Sequence, residues 1–562
     1  MKKWNINYFL IGLSPLFFAA DCNKNNPTST IQTPPPALVF SNATLDNNAA
    51  MISTTNYNVR TNVVIRLSFN NALDKASVSS SVLVQERSGT AISVNYSYEN
   101  NDSTLVIIPS VSLKNLTGYF VSTTTSLKSG KGGNLNGALN IQFITQIDSS
   151  NKFPVISDSA LLDLVQQQTF KYFWDFGHPV SGLARERSNT SPETVTTGGS
   201  GFGIMAIPVA ISRNFITRSQ GLSRLKTIVG FLKNTAQKFH GAFPHWMNGT
   251  TGTVIPFSTK DDGADLVETS YLMAGLLTAR QFFNGNDTAE TNLRNDINGL
   301  WNAVEWNWFQ QSGQNALYWH WSPDYGWAMN MKIQGWNECL ITYLLAASST
   351  NYPIPKAAYT QGFAQNGAEV NNNSYFGYQL PLGPSYGGPL FWSHYSFLGI
   401  DPNGLSDAYA NYQTQVTNHT KINYQYCIAN PKNYFGYSNQ CWGLTASDVP
   451  NGYSANDPNN DIGVITPTAA LSSFPYAPVE SMNALKFFYY KLGDKIWGQY
   501  GFVDAFSLKD LWYAASDLAI DEGPIIVMIE NYRSGLIWNL LTRCPEVKNG
   551  MKNVLGFSAP YL

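Results

Sequence analysis

Along this chain of 562 residues the apolar positions follow one period up to about residue 150 and another beyond it. Between Ala37 and Asp148 they come in short runs: VVIRLSF (63–69), SVLVQER (81–87), AISVNYSYE (91–99), STLVII (103–108), GYFVSTT (118–124) and NIQFITQ (140–146). The runs are rich in β-branched and aromatic residues, and polar or Gly-containing turns separate them. Runs of this length and spacing predict short strands, and their number predicts a β-sandwich over 37–150.

After SSNKFP the period lengthens. SALLDLVQQQTFKYFWDF (159–176) carries apolar residues at helical spacing behind Ser157 and Asp158, both N-cap candidates. Helical patterns recur near 200–213, 218–239, 264–284, 288–308, 333–348, 404–416, 477–492, 507–517 and 524–541, with aromatic, Gly-rich loops between them. About ten to twelve sequential helices and few strands suit an α/α toroid over 155–562, an (α/α)6 barrel with a cleft at one end. A helical solenoid is the rival, but no fixed-period repeat is visible. The fold class expected is multi-domain: a mainly α catalytic barrel behind a small N-terminal β-sandwich.

The first residues break both patterns. Lys2 and Lys3 precede an apolar stretch from Tyr8 to Ala20, which reads as an export signal over 1–22 and is short for a spanning helix. Cys22 stands where a bacterial lipoprotein carries its lipidated cysteine, although Asp21 replaces the usual small residue before it. The polar, Pro-rich segment 23–36 reads as a tether. An exported protein, lipid-anchored in the outer membrane or periplasm of a Gram-negative bacterium, is the expectation. Export would permit disulfides. Cys427 and Cys441 could bridge, or these two with Cys339 and Cys544 could be buried free thiols.

Composition narrows the function. The net charge of −2 gives no basic surface for nucleic acid or anionic lipid. No P-loop, dinucleotide fingerprint or metal-spaced His/Cys cluster is present, so neither cofactor nor metal is expected. Aromatic residues make up 14% of the chain, with 15 Trp, 30 Tyr and 31 Phe. They can fill a large core, but Trp and Tyr in excess also suit a groove where sugar faces stack. Charged residues are only 13%, against about 25% in an ordinary globular protein, so a dense acidic stretch needs a reason.

Three such stretches stand out. KDDGADLVETSYLMAGLLTARQFF places Asp261, Asp265 and Glu268 at spacings of four and three, on one face if helical, at the start of an apolar helix. Capping explains one or two of these acids; Glu268, deeper in the apolar helix, needs a partner or a role. WHWSPDYGWAMNMKIQGWNECLITYLLAAS holds Trp319, Trp321, Trp327 and Trp336, then Glu338 at the first turn of the next apolar helix. A carboxyl in such surroundings is raised toward duty as an acid, the alternative being a capping Glu. LAIDEGPIIVMIENYRSGLIW sets Asp521 and Glu522 before Pro524, a residue suited to a first helical turn, and spaces Glu530 and Arg533 as a structural ion pair. Asp504, in YGFVDAFS, competes with Asp521 for the cleft. His320 and His394, the latter in LFWSHYSF beside Trp392, are candidates for substrate or for the core. Acids at inner-helix starts with Trp-rich loops are how a glycoside hydrolase is built on an α/α barrel: one carboxyl protonates the leaving oxygen and another activates water.

TTGGSGFGIMAI, DDGADLVETSYLMAGLL, GWNECLITYLLA, GGPLFWSHYSFLGIDP, YFGYSNQCWGLTASD and AIDEGPIIVMIENYRSGLIW, in this order, resemble the bacterial glycoamylase-like domain, and in particular glycoside hydrolase family 144, the β-1,2-glucanases, over about residues 155–560. VIRLSFNNALDKASVSSSVLV resembles the bacterial Ig-like domains that precede catalytic modules. The resemblance implies an (α/α)6 barrel that hydrolyses β-1,2-glucan with inversion, internally or by releasing sophorose from chain ends. It implies Glu338 as proton donor, Asp261, Asp265 and Glu268 as the family's acid cluster, and Asp521, with Asp504 second, in the C-terminal part of the cleft. Trp319, Trp321, Trp327, Trp336, Trp392, His320, His394 and Asp504 are the expected substrate contacts, and a monomer acting on polysaccharide or oligosaccharide is the expected state. A transglycosylase or phosphorylase on the same barrel, or an inactive glycan-binding lipoprotein, are the alternatives. A phosphorylase would need a basic phosphate pocket, which the sequence does not supply. Binding alone does not call for clustered carboxylates.

Overall fold

The computed structural model describes residues 33–562. Cys22, the signal segment and most of the tether lie outside the described residues.

The N-terminal part is a two-sheet sandwich. Its strands are β1 (Phe40–Leu45), β2 (Asn48–Ala49), β3 (Asn56–Val59), β4 (Ile65–Phe69), β5 (Val82–Glu86), β6 (Val94–Glu99), β7 (Thr104–Pro109), β8 (Gly118–Thr123) and β9 (Asn140–Thr145). One sheet runs β2-β1-β4-β7-β6 and the other β3-β9-β8-β5, with β3 and β9 the parallel pair. The alternation drives the packing: Ile65, Leu67, Leu105 and Ile107 pack with Val84, Tyr119, Val121, Ile141 and Phe143 in one apolar core. The six runs identified from patterning are all strands. FSNATL and NYNV, the strands β1 and β3, lack an apolar run and gave no signal. A short helix, α1 (Lys75–Ser81), is capped by the Asp74 side chain.

The rest is helical: α2 (Asp158–Trp174), α3 (Thr197–Ser212), α4 (Arg218–Asn234), α5 (Leu266–Phe282), α6 (Thr288–Ala303), α7 (Leu340–Ser348), α8 (Tyr412–Ala429), α9 (Pro467–Leu471), α10 (Pro478–Ile496), α11 (Ala519–Ser534), α12 (Leu536–Leu541) and α13 (Pro545–Asn549). Helices buried on one face, α2, α4, α6, α8 and α10, alternate in the chain with helices buried nearly all round, α3, α5, α7, α9 and α11. Short irregular helices at 358–363 and 390–398 complete the outer and inner rings. This is the (α/α)6 barrel. α3 and α5 meet at Gly201 and Gly275, where a Cβ on either would fall 2.3 Å from the other helix's carbonyl oxygen.

Four local expectations fail. The pattern at 507–517 is a hairpin, Phe506–Ser507 against Trp512–Tyr513, because Leu511 adopts φ 54° and the Ser507 hydroxyl holds Asp510 in the turn. The helix expected at 333–348 starts only at Leu340: Gly335 has φ 75° and the Asn337 side chain accepts the Cys339 N–H, which makes a turn first. The helix expected at 404–416 is displaced to Tyr412–Ala429, capped by Asn411. Finally, α11 starts at Ala519, so Asp521 and Glu522 lie in its first turn and Pro524 inside it; the helix stops at Gly535, φ 67°.

The two domains touch through few groups. Tyr57 of β3 stacks on Phe435 with ring centres 5.3 Å apart, and the Lys491 ammonium donates to the Ser149 carbonyl and the Asn151 side chain. Glu530 and Arg533 do not pair with each other: Glu530 takes a two-pronged bond from Arg213 at the end of α3, and Arg533 pairs with Asp163 of α2, so they tie α11 to an inner and an outer helix. The four described cysteines are buried free thiols, Cys427 and Cys441 included. No described helix is long and apolar enough to cross a membrane.

Candidate active site

A cavity of about 460 Å³ opens at one end of the barrel. Glu186, Arg187, His245, Glu268, Glu338 and Tyr453 line it, among the rings of Trp246, Phe257, Tyr271, Trp319, Phe391 and Tyr395. Every lining residue belongs to the helical domain.

Local folding brings the acids together. Asp265 is the N-cap of α5: its Oδ1 accepts the Val267 and Glu268 N–H groups at 3.0 and 2.9 Å. The neighbouring pair Ala264–Asp265 forms a two-residue ladder with His320–Trp321, which sets His320 opposite Asp265. The Asp265 N–H is bound by the Phe243 carbonyl, and Trp246 pairs with Thr196, so His245 is fixed between two anchored neighbours. His245 Nδ1 then reaches Asp265 Oδ2 at 2.9 Å. His320 Nε2 lies 3.3 Å from Asp261 Oδ2 and 3.6 Å from Asp265 Oδ2. Asp261 is not on the helix; it precedes α5 in a turn closed against Ser258, and it joins the cluster through His320 rather than through helical spacing.

Glu268 occupies the position where a capping box would turn back on the N-cap. It does not turn back. Its Oε2 accepts the Gly198 N–H at 2.7 Å, from the first turn of α3. A Cβ on residue 198 would sit 2.5 Å from that oxygen, so only glycine lets the backbone approach.

The charges follow from these partners. Burial alone would neutralise Asp265, but His245 and His320 outweigh it and hold Asp265 well below the usual carboxylate range. Burial pulls His245 down, but Glu268, Asp265 and Asp261 override it and raise the imidazole to about 9. His320 is raised as well, by Asp265 and Asp261 against its burial. Burial raises Asp261 to about 6, Asp265 adding to it, and raises Glu268 to about 7 against the pull of His245. Glu338 stands just before Cys339, the N-cap position of α7, and its carbonyl accepts the Ser396 hydroxyl. No cation offsets its burial, and its carboxyl rises to about 7. His245, Asp261 and Asp265 offer donor atoms within 4.8 Å of one another, an arrangement that could hold a cation. Here two imidazoles carry the compensating charge.

A second acidic group lies at the start of α11. Asp504 and Asp521, both buried, are in side-chain contact. Asp504 Oδ2 accepts the Asp448 N–H at 2.6 Å; the Asp448 carboxylate is held by Arg187 at 2.9 Å and by the Ser516 hydroxyl. Burial raises Asp504 to about 7, and burial together with Asp504 holds Asp521 well above the usual carboxylate range. Glu522 is also raised by burial. Asp521 lies behind the wall of the cleft rather than on it. The Tyr395 phenol feels both Asp521 and Glu338.

Several expected contacts fall elsewhere. His394 is a core residue, bonded to Ser473 at 3.0 Å and pushed down to about 3 by burial. Trp336 is buried against Phe397 and Tyr412. Trp321 and Trp327 pack on Trp308, outside the cleft, and Trp392 does not line it. Asp504 is screened from the cleft and touches Asp521 instead. Trp319 does line the cavity, and His320 sits beneath it among the acids. Sequence reasoning missed His245, Gly198, Arg187, Asp448, Tyr395 and Tyr453. Gly198, Tyr395 and Asp448 carried a signal, each lying in a quoted motif, TTGGSGFGIMAI, GGPLFWSHYSFLGIDP and YFGYSNQCWGLTASD.

Known proteins resemble the chain over its helical part. A solved structure from Bacteroides uniformis, named a "putative glucoamylase", is 56% identical, covers 73% of this chain and 100% of its own, and superposes with a TM-score of 0.72. The chain belongs to the glycoamylase-like family. The family model described by the same two words matches residues 330–545, and that of the bacterial Ig-like domain matches 35–145. The glycoamylase-like domain is also similar to an endo-β-1,2-glucanase from Chitinophaga pinensis, solved with sophorotriose and glucose: 51% identity, 73% of this chain, 100% of that one, TM-score 0.71. An exo β-1,2-glucooligosaccharide sophorohydrolase (non-reducing end) from Parabacteroides distasonis is 45% identical over 438 residues, 74% of this chain and 60% of its own length. The match therefore spans less than two thirds of that relative.

Proposed function

We propose that this protein hydrolyses β-1,2-glucan at internal linkages, with inversion. The observation that carries the reading is the cleft itself: Glu338, uncompensated and raised to about 7, lines the same aromatic cavity as Glu268 and His245, with the Asp521–Asp504 pair behind its wall. Glu338 gives its proton to the leaving oxygen as the glycosidic bond breaks. A water attacks the anomeric carbon from the other face, and the proton it loses passes to the Asp521–Asp504 pair. Glu268 and His245, on the cavity wall, grip sugar hydroxyls, with Asp265, Asp261 and His320 holding them from behind, and Trp319 and Tyr453 stack on sugar faces. Internal cutting is supported by the lining, to which no described Ig-like residue contributes, so that domain does not close one end. Export through the N-terminal segment, with Cys22 lipidated, would place the enzyme where polysaccharide is met.

Product chromatography tests the proposal. Purified mature protein is incubated with β-1,2-glucan and, in parallel, with starch, β-1,3-glucan and β-1,4-glucan. A ladder of oligosaccharides from β-1,2-glucan alone is expected. Disaccharide as the sole early product would overturn internal cutting, and cleavage of another glucan would overturn the substrate.

A further inference from the structure

Asp504 was expected to touch substrate, and the structure gives it other work. It sits between the strands Gly501–Phe502 and Phe506–Ser507, its own N–H fixed by the Ser516 carbonyl at 2.9 Å. One carboxyl oxygen, Oδ2, is used by the Asp448 N–H. The other, Oδ1, is buried with no donor among the described residues, and so is Oδ2 of Asp521. The two carboxyls are in contact. Two buried carboxyls that hydrogen-bond to each other cannot both be ionised, so the contact requires a proton between them.

The surroundings say which member bears the charge. Facing the pair are Asp448 and Tyr453 from the hairpin 446–455, Arg187 from the loop after α2, Tyr395 from the inner ring, and Glu522 from α11 itself. Arg187 is the one cation among them, and it reaches the pair through Asp448, on the Asp504 side. The Asp448 N–H also serves Asp504. Negative charge therefore settles on Asp504, and the proton on Asp521.

We propose that Asp504 is the positioning residue of Asp521: it holds one proton in common with it, and so lets Asp521 take a proton from the cleft while passing its own to Asp504. The step balances within the pair. When the attacking water loses a proton, Asp521 gains it on one oxygen and releases its own to Asp504 from the other; both carboxyls end neutral, and the second proton leaves to solvent before the next turnover. The proposal rests on the hydrolase reading above and deepens it.

The decisive variant is Asp504→Asn. Asparagine keeps the shape: its oxygen can still accept the Asp448 N–H and its amide can donate to Asp521. It removes the like charge, so Asp521 ionises at lower pH. Wild type and variant are compared for kcat/KM on β-1,2-glucan between pH 4 and 9. The expected result is a variant that remains measurably active and whose acid limb moves down by about one pH unit or more, since losing one buried like charge is worth at least that much. Superimposed profiles in an active wild type would overturn the shared proton and leave the hydrolase reading intact. A wild type that releases no sugar would overturn that reading, and a second measurement then decides on Asp504: the thermal midpoint against pH. Raised carboxyls bind protons in the folded state that the unfolded state has shed, so wild type loses stability as pH rises from about 4 through about 7. Asp504→Asn should lose clearly less over that interval. Parallel curves would overturn the proposal on their own.

Discussion

Two acidic groups meet the cleft, and they solve the problem of buried charge in opposite ways. At α5, Asp265 is fully buried and ionised, because two imidazoles and two helix N–H groups surround it. At α11, Asp504, Asp521 and Glu522 are equally buried, yet the nearest cation, Arg187, reaches them only through Asp448. They are pushed toward the neutral form instead. The residue type is the same, and the partners decide the charge state. Glu338 stands with the second group in this respect, without a cation of its own. The α5 group is thus suited to hold Glu268 and His245 charged and polar at the cavity wall, and Glu338 with the α11 pair to moving protons.

The largest test of that division is Glu338→Gln. It keeps the shape and removes the proton donor. A fall of about 10³-fold in kcat/KM is expected, within the usual range for a general acid, with oligosaccharide binding retained by calorimetry. In wild type, activity should decline as pH rises through about 7, where Glu338 loses its proton. A Gln variant within a few fold of wild type would move the acid role elsewhere.

Next is Asp265→Asn, which probes the compensated side. Asparagine caps a helix as well as aspartate, so α5 should stand. Both imidazoles lose a counter-charge, the leading one for His320 and one second to Glu268 for His245. His245, raised from 6.5 to about 9, contributes stability that is fully present below 6.5 and lost as pH climbs through about 9. At about 1.36 kcal/mol per unit this is roughly 3 kcal/mol, an upper figure for a side chain in part exposed. The variant should show a flatter stability curve between pH 6.5 and 9 by denaturant titration. An unchanged slope would mean that His245 owes its charge to Glu268 rather than to Asp265.

Gly198→Ala should have a smaller effect. The added methyl would lie 2.5 Å from Glu268 Oε2 and 2.9 Å from a Tyr271 ring carbon. Either Glu268 leaves the N–H or α3 shifts. Overpacking of this kind costs about 1–3 kcal/mol, readable as a lower thermal midpoint. Glu268 deprived of its N–H should titrate higher still, so the pH range of activity should narrow from the acid side.

How much of this was legible in the sequence differs between the groups for a physical reason. The acids at α5 were visible because helix periodicity and capping are local: Asp265 and Glu268 lie within four residues, followed by an apolar run. Even so, the one-face reading was wrong for Asp261, which arrives through a turn and His320. The α11 group depends on contacts no local rule can see. Arg187 and Asp448 are separated by 261 positions, and Asp504 reaches Asp521 from a loop. His245 stands alone between Pro244 and Trp246 and offers no spacing to read. Trp336 and His394 illustrate the converse: aromatic surroundings suggested a sugar site, and burial made them core. The hairpin at 506–513 reads as helix in the pattern because a few apolar residues fit either period, and only the left-handed Leu511 breaks the tie.

The smallest expected effect lies farthest from the cleft and marks where the α11 group ends. Tyr57 stacks on Phe435, whose loop is braced at Tyr434 and Tyr437 by Asp461; Ile465, four residues on, pairs with Phe506, which lies two residues from Asp504. A continuous path therefore leads from the Ig-like domain to the carboxyl pair. Yet each link is a ring stack, a satisfied phenol or a backbone ladder, and such a path transmits position without altering charge. Tyr57→Ala should remove about 0.5–1.5 kcal/mol of stacking between the domains and leave kcat/KM on short β-1,2-gluco-oligosaccharides within about twofold. Its pH profile should overlay that of wild type, while Asp504→Asn displaces it. A displaced acid limb in Tyr57→Ala would extend the α11 group into the Ig-like domain and make that domain part of the proton machinery rather than a spacer.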